Sequence, residues 1–315
     1  MIITVTMNPS VDILYPLEHL AIDSVNRCDQ TNKSAGGKGL NVARVIKLMD
    51  KEVTATGILG GTIGDFIEKE LKNRQISNEF LKTKHESRNC IAIFHEGKQT
   101  EILETGPTLS EVEEVGFLKK FDQLVDKANL ITISGSLPAG INPFIYQKMI
   151  ALANKKNVRV LLDCSGSVLK NTIYAKEKPY LIKPNQTELS QLLQKECSSN
   201  PKVLKAMLSS PIFSGIQWIV VSLGAEGAFI KVKDTYYTVM IPKIEAVNPV
   251  GSGDSVVAGL AVALEEKKET IEIIKTGMTT GILNTLEEKT GYIDCSKFEY
   301  YFNQIRVKKF VDNLF

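Results

Sequence analysis

Short apolar runs alternate with longer stretches of helical spacing from one end of the chain to the other. Residues 2–6, 53–59, 130–134, 159–163, 180–183 and 218–222 read as short apolar strands. Residues 40–49, 63–74, 111–127, 143–154, 201–208 and 256–265 repeat apolar positions at the three-to-four spacing of a helix. Continuous apolar strands separated by helices predict an α/β fold, a mostly parallel sheet covered on both faces. Two regions break the rhythm. Residues 10–33 are extended and mixed in polarity without a helical stripe, and 90–94 with 99–103 flank His95-Glu96-Gly97-Lys98 as a hairpin. Together they predict a small sheet standing off the main body and needing another surface to cover it. Edge strands of the main sheet are the alternative. No internal repeat or low-complexity linker interrupts the pattern.

Composition narrows the classes. The 315 residues suffice for one large α/β domain or two small ones. A formal charge of +2 provides no broad field for nucleic acid or a membrane surface, so anion recognition has to be local. The five cysteines are odd in number, widely spaced and without a Cys-x-x-Cys pair. They read as reduced thiols of a cytoplasmic protein. His19, His85 and His95 show no metal-ligand spacing. No apolar run approaches bilayer length, and residues 1–7 lack the layout of a signal peptide.

The chemistry concentrates where glycines meet helix starts. In Asn248-Pro249-Val250-Gly251-Ser252-Gly253-Asp254, two glycines flank a serine before a helical run of Val256, Val257, Leu260, Ala261 and Leu264. Unpaired amides at such a start form an anion site. Asp254 beside it could take a proton from a hydroxyl; its bland reading is a residue favouring the helix dipole. Ala35-Gly36-Gly37-Lys38-Gly39-Leu40-Asn41 is a second glycine-rich helix start, neither a P-loop nor a dinucleotide fingerprint. Lys183-Pro184-Asn185-Gln186-Thr187-Glu188 fits a capping box equally well as a magnesium shell. Ser222-Leu223-Gly224-Ala225-Glu226-Gly227 is a hairpin turn or a nucleotide-lining loop, and Ser134-Gly135-Ser136 ends a strand where open sheets place ligands. Arg27 and Arg88 fall in the segments of the small sheet.

In this order, the motifs resemble the ribokinase-like (PfkB) family of carbohydrate kinases. Residues 35–41 match its first signature and 248–261 its second. Met7-Asn8-Pro9-Ser10-Val11-Asp12 and Ser134-Gly135-Ser136-Leu137-Pro138 narrow the likeness to the phosphosugar branch, which holds the phosphofructokinases and the tagatose-6-phosphate kinases. With Glu86-Ser87-Arg88-Asn89-Cys90-Ile91-Ala92-Ile93 added, the pattern is most similar to the tagatose-6-phosphate kinases.

The resemblance implies a three-layer α/β/α sandwich in a single domain over residues 1–315, with a β-sheet lid from about 10–34 and 88–105 that serves as a homodimer interface. It implies ATP-dependent phosphorylation of D-tagatose 6-phosphate, with a 1-phosphofructokinase or 6-phosphofructokinase activity, or a silent sugar-phosphate-binding regulator, as alternatives. Asp254 would be the base, and the amides of Gly251, Ser252 and Gly253 the anion hole. Asp12, Gly37 and Asn41 would meet the sugar, and Lys38, Arg88, Ser136 and Arg27 its phosphate. Lys183, Asn185, Ser222, Gly224 and Gly227 would serve ATP, with Ala258 and Asn284 near adenine and Glu188 with Asn185 for Mg2+. Some members bind a monovalent cation beside the second signature. Asn248 and Ser252 replace the Thr and Ala common there, so the resemblance does not decide that trait.

Overall fold

The structure is a computed structural model that describes residues 1–311; the last residues of the expected domain, 312–315, lie outside the described residues. Its strands are β1 (Ile2–Thr6), β2 (Ser10–Pro16), β3 (Asn32–Gly36), β4 (Val53–Gly60), β5 (Ser77–Asn78), β6 (Leu81–Thr83), β7 (Arg88–His95), β8 (Lys98–Leu103), β9 (Leu130–Ser134), β10 (Arg159–Asp163), β11 (Leu181–Ile182), β12 (Trp218–Ser222), β13 (Ala228–Val232), β14 (Thr235–Met240) and β15 (Arg306–Phe310). The main sheet runs β15-β14-β13-β12-β11-β10-β9-β1-β4-β5, with β6 also beside β4. Pairing is parallel from β12 through to β5 and antiparallel from β12 out to β15.

The apolar runs of the sequence become strands buried on both faces. Along β1, Ile2 enters one core while Ile3 and Val5 enter the other; along β12, Trp218 and Val220 alternate with Ile219 and Val221 in the same way. One covering layer holds the helices Lys38–Leu48, Gly61–Asn73, Ser252–Glu265 and Thr270–Thr285, which pack on the first core. The other holds Glu111–Val125, Ile145–Lys155, Gly166–Tyr174, Gln186–Leu193 and Pro201–Leu208, which pack on the second. Each fully buried Leu or Ile adds about 1.5–3 kcal/mol, which is what commits the chain to three layers.

The segments that broke the helical rhythm form a separate four-stranded sheet of order β3-β2-β7-β8 rather than edges of the main one. Its hairpin turns at Glu96 and Gly97, both at positive φ (50° and 69°), the twist that suits a two-residue loop. β2 pairs with β7 in parallel, so Ser10 lies opposite Arg88 and Asp12 opposite Cys90. Because β3 ends at Gly36 and the helix Lys38–Leu48 starts two residues later, the small sheet is tied directly to one wall of the site.

Candidate active site

The carboxyl ends of β1, β9, β10, β11 and β12 open into one cavity of about 630 Å³, roofed by the small sheet and walled by two helix starts. Its lining includes Asp12, Gly37, Lys38, Asn41, Arg88, Ser136, Lys183, Asn185, Glu188, Ser222 and Gly251 to Asp254. Residues from the full length of the sequence therefore converge there.

Gly251 takes φ +81° at the start of the helix Ser252–Glu265, and a Cβ there would stand 2.5 Å from the Thr290 side chain. That turn leaves the N–H groups of Gly251, Gly253 and Asp254 without a protein partner among the described residues. Ser252 differs from expectation: its N–H donates to the Pro249 carbonyl at 3.2 Å and is not open to a ligand. Asp254 is 5% exposed, and its Oδ2 accepts from the Asn41 amide Nδ2 at 2.9 Å. Burial raises the Asp254 carboxyl to about 6; Lys38, the Asn41 hydrogen bond and Lys183 pull it down, while Asp163 pushes it further up. A carboxylate with that proton affinity suits proton abstraction near neutral pH.

Asp163, at the end of β10, is the main site residue that the sequence reading missed. It is 2% exposed and lies between two cations, with Lys38 Nζ at 3.5 Å from Oδ2 and Lys183 Nζ at 3.4 Å from Oδ1. The second contact is one of charge only, without hydrogen-bond alignment. Asp163, Asp254 and Glu188 all raise the Lys38 ammonium, Asp163 most. The usable signal was a carboxylate as the last residue of a buried strand, Leu161-Leu162-Asp163, at the sheet edge where ligands bind. Lys183 Nζ lies 3.1 Å from where a Cβ of Gly253 would stand, which sets an ammonium beside the open amides.

At the start of the helix Gln186–Leu193, Asn185 Oδ1 accepts from Glu188 N at 2.8 Å and Glu188 Oε2 accepts from Asn185 N at 2.9 Å. The capping box thus exists and engages one Glu188 oxygen, Oε2, and Glu188 also lines the cavity. At the roof, Ser10 Oγ donates to Asp12 Oδ1 at 2.7 Å, and Arg88 donates to the carbonyls of Asn8 and Glu104. Burial raises the Asp12 carboxyl against the pull of Ser10, Arg44 and Arg88. Thr6 Oγ1, Asn8 Oδ1 and Ser134 Oγ, in residues that line the cavity, are buried with no hydrogen-bond partner among the described residues.

Five expected residues are not brought to the cavity. Arg27 is exposed on the connection between β2 and β3. Gly224 is exposed in a short turn, and Gly227 sits within the β12–β13 hairpin, packed against the Val239 carbonyl. Ala258 has no exposed surface and belongs to the core. Asn284, also fully buried, braces the second signature: its Nδ2 donates to the Val250 carbonyl at 2.9 Å, and its Oδ1 accepts from Gly291 N and Ser255 Oγ.

Open amides, two lysines and a carboxylate of raised proton affinity, gathered at the strand ends of a three-layer sandwich, define a phosphotransferase of the carbohydrate-kinase class. The chain belongs to the pfkB family of carbohydrate kinases, whose model matches residues 5–296. Among solved structures it is similar to phosphofructokinase-2 from Escherichia coli in complex with potassium, at 27% identity and TM-score 0.87, covering 96% of this chain and 98% of that one. A provisionally named phosphofructokinase from Staphylococcus aureus matches at 28% identity and TM-score 0.83, covering 98% and 99%. A provisionally named 1-phosphofructokinase from Thermotoga maritima, at 23% identity and TM-score 0.89 over 98% and 99% of the two chains, shares the fold.

Proposed function

We propose that this protein transfers the γ-phosphoryl group of ATP to a hydroxyl of a sugar phosphate, converting D-tagatose 6-phosphate to D-tagatose 1,6-bisphosphate. The observation that carries the transfer chemistry is Asp254: Oδ2 is held by Asn41, the residue lines the cavity, and three amides without a protein partner among the described residues lie at the same helix start. Asp254 accepts the proton of the attacking hydroxyl as its oxygen bonds the γ-phosphorus. The bond to the bridging oxygen breaks, and ADP leaves. The amides of Gly251, Gly253 and Asp254, with Lys183, would take the charge that spreads over the equatorial oxygens.

The remaining roles follow from position. Lys38, drawn toward Asp163, Asp254 and Glu188, serves the phosphoryl group in transit, whereas Arg88 and Ser136 serve the phosphate already on the sugar. Asp12 and Asn41 meet sugar hydroxyls. Arg27 is left out of this set. The oxygen of Glu188 left outside the capping box would hold a hydrated Mg2+, an ion that keeps several waters and neutralises phosphate charge when bound. A monovalent cation beside the second signature fits less well. The Val250 carbonyl already accepts from Asn284 and the Glu288 carbonyl from Asn248, each at 2.9 Å, so neutral amides hold the loop.

The tagatose assignment rests on the motif pattern around residues 35–41, 86–93 and 248–254. Fructose 6-phosphate is the second reading, favoured by the Escherichia coli phosphofructokinase-2 solved in complex with that sugar, at 26% identity. An ADP-release assay with tagatose 6-phosphate, fructose 6-phosphate and fructose 1-phosphate separates them. We expect the highest kcat/KM with tagatose 6-phosphate; a higher value with fructose 6-phosphate selects the second reading, and comparable efficiency with fructose 1-phosphate rejects both.

A further inference from the structure

Arg44 is the one charged side chain of the helix Lys38–Leu48 that is buried, at 3% exposure, and the sequence pattern did not single it out. Desolvation of a guanidinium is expensive, so its partners should say what it is for. Nη1 donates to Asn41 Oδ1 at 3.1 Å and to the Thr290 carbonyl at 2.9 Å. Nη2 donates to the Ala35 carbonyl, at the end of β3 in the small sheet. The guanidinium carbon also lies 5.1 Å from the ring centroid of Tyr292.

Asn41 stands between this cation and Asp254, three positions before Arg44 on the same helix face. A guanidinium only donates, so the atom of the Asn41 amide that faces it must be the oxygen. The amide NH2 is then forced toward Asp254, where it meets Oδ2 at 2.9 Å. Were the amide turned over, its oxygen would confront the carboxylate.

We propose that Arg44 is a positioning residue: by fixing which way the Asn41 amide points, it sets both the aim and the proton affinity of Asp254. The inference rests on the reading of Asp254 as the base. The same guanidinium holds Ala35 and Thr290, so the anchor of the small sheet and the loop after the helix Thr270–Thr285 share one clamp with the base. Other charges acting on Asp254 come from Lys38 on the same helix as Arg44, Asp163 on β10 and Lys183 after β11. Those acting on Arg44 are Tyr292, Arg74, Asp12 and Glu70. None of these can orient an amide in the way a direct hydrogen bond does.

The test is the pH dependence of kcat in Arg44→Met and Arg44→Lys beside the unaltered protein, with melting temperatures measured on each. An Asn41 amide free to turn loses its hold on the ionised base. The acid limb of kcat is then expected to move up by about one pH unit in Arg44→Met, roughly a tenfold loss of ionised base below that limb, and by less in Arg44→Lys. A lowered melting temperature with an unmoved acid limb means that Arg44 only holds the fold together, and overturns the proposal. Should Arg44→Met fail to fold, Asn41→Leu with Arg44 intact must show the same displaced limb, and an undisplaced limb there also overturns it. Infrared titration of the Asp254 carboxyl, taken as a difference against Asp254→Asn without substrate, gives the same answer independently of turnover. Asp254→Asn separates the two layers of argument. Near-normal turnover in that variant defeats the base reading itself, whereas an inactive Asp254→Asn with unmoved limbs in the Arg44 variants defeats only this inference.

Discussion

Burial raises the proton affinity of Asp254 while Lys38, Asn41 and Lys183 resist the rise, so the residue is held in a state that folding alone would not choose. The sign is definite. An unfolded aspartate ionises near 3.8 and the folded one near 6, so the protonated form is favoured by folding. Its contribution to stability is fully present below about pH 4 and is lost as pH rises through 6. Asp254→Asn, which carries no charge, is therefore expected to be more stable than the unaltered protein at pH 7, by about 1–3 kcal/mol. The same substitution should lower kcat by about a hundredfold or more, the scale of lost general-base catalysis. Thermal melts at pH 7 and initial rates on the purified variant check both, and the unaltered enzyme should gain activity as pH rises through about 6. Placement was partly legible at this scale: the motifs put Asp254, Lys38, Asn41, Arg88 and Glu188 at one site and all five line one cavity, whereas Arg27, Gly224, Gly227, Ala258 and Asn284 do not. Asp163 and Arg44 were not legible, because a single Asp at a strand end and a single Arg on a helix look ordinary until their partners from distant strands and loops are in place.

At the scale of elements, the strongly patterned ones were read to within a few residues, and the weakly patterned ones were not. The helix Thr270–Thr285 carries Gly277, Gly281 and several threonines, poor helix formers with no clear apolar stripe. It forms because it packs face to face with the helix Ser252–Glu265. A Cβ added at Gly277 would stand 2.7 Å from the Leu260 side chain, a closeness that larger residues would forbid. The same pair of helices brings Asn284 beneath the second signature, where its amide and that of Asn248 satisfy the Val250 and Glu288 carbonyls. Phosphoryl transfer is accordingly expected to be indifferent to replacement of potassium by tetramethylammonium in the assay. A kcat that rises with potassium would show that a cation displaces these amides.

For the molecule as a whole, the small sheet has one face over the cavity and β8 at its edge, with Ile102 at 55% and Leu103 at 59% exposure. Ile22 and Val25, on the connection from β2 to β3, are also largely exposed. An open strand edge carrying apolar side chains favours pairing with a second copy. We expect a homodimer through this sheet, with Ile102→Asp reducing the mass measured by light scattering to that of one chain. A dimer retained in that variant would place the interface elsewhere.

What the amino-acid order determined unaided was whatever depends on near neighbours: apolar runs that become buried strands, helical stripes, and glycine-rich turns whose free amides await an anion. It also determined which residue types were present for phosphoryl transfer. The tertiary structure decided which of those residues share a cavity and which state they hold there. The Asn41 amide is turned by Arg44, the Asp254 proton is held by burial, Lys38 and Lys183 meet across Asp163, and Asn284 goes to bracing. These are consequences of desolvation and of contacts between residues far apart in the chain, and no local pattern encodes either.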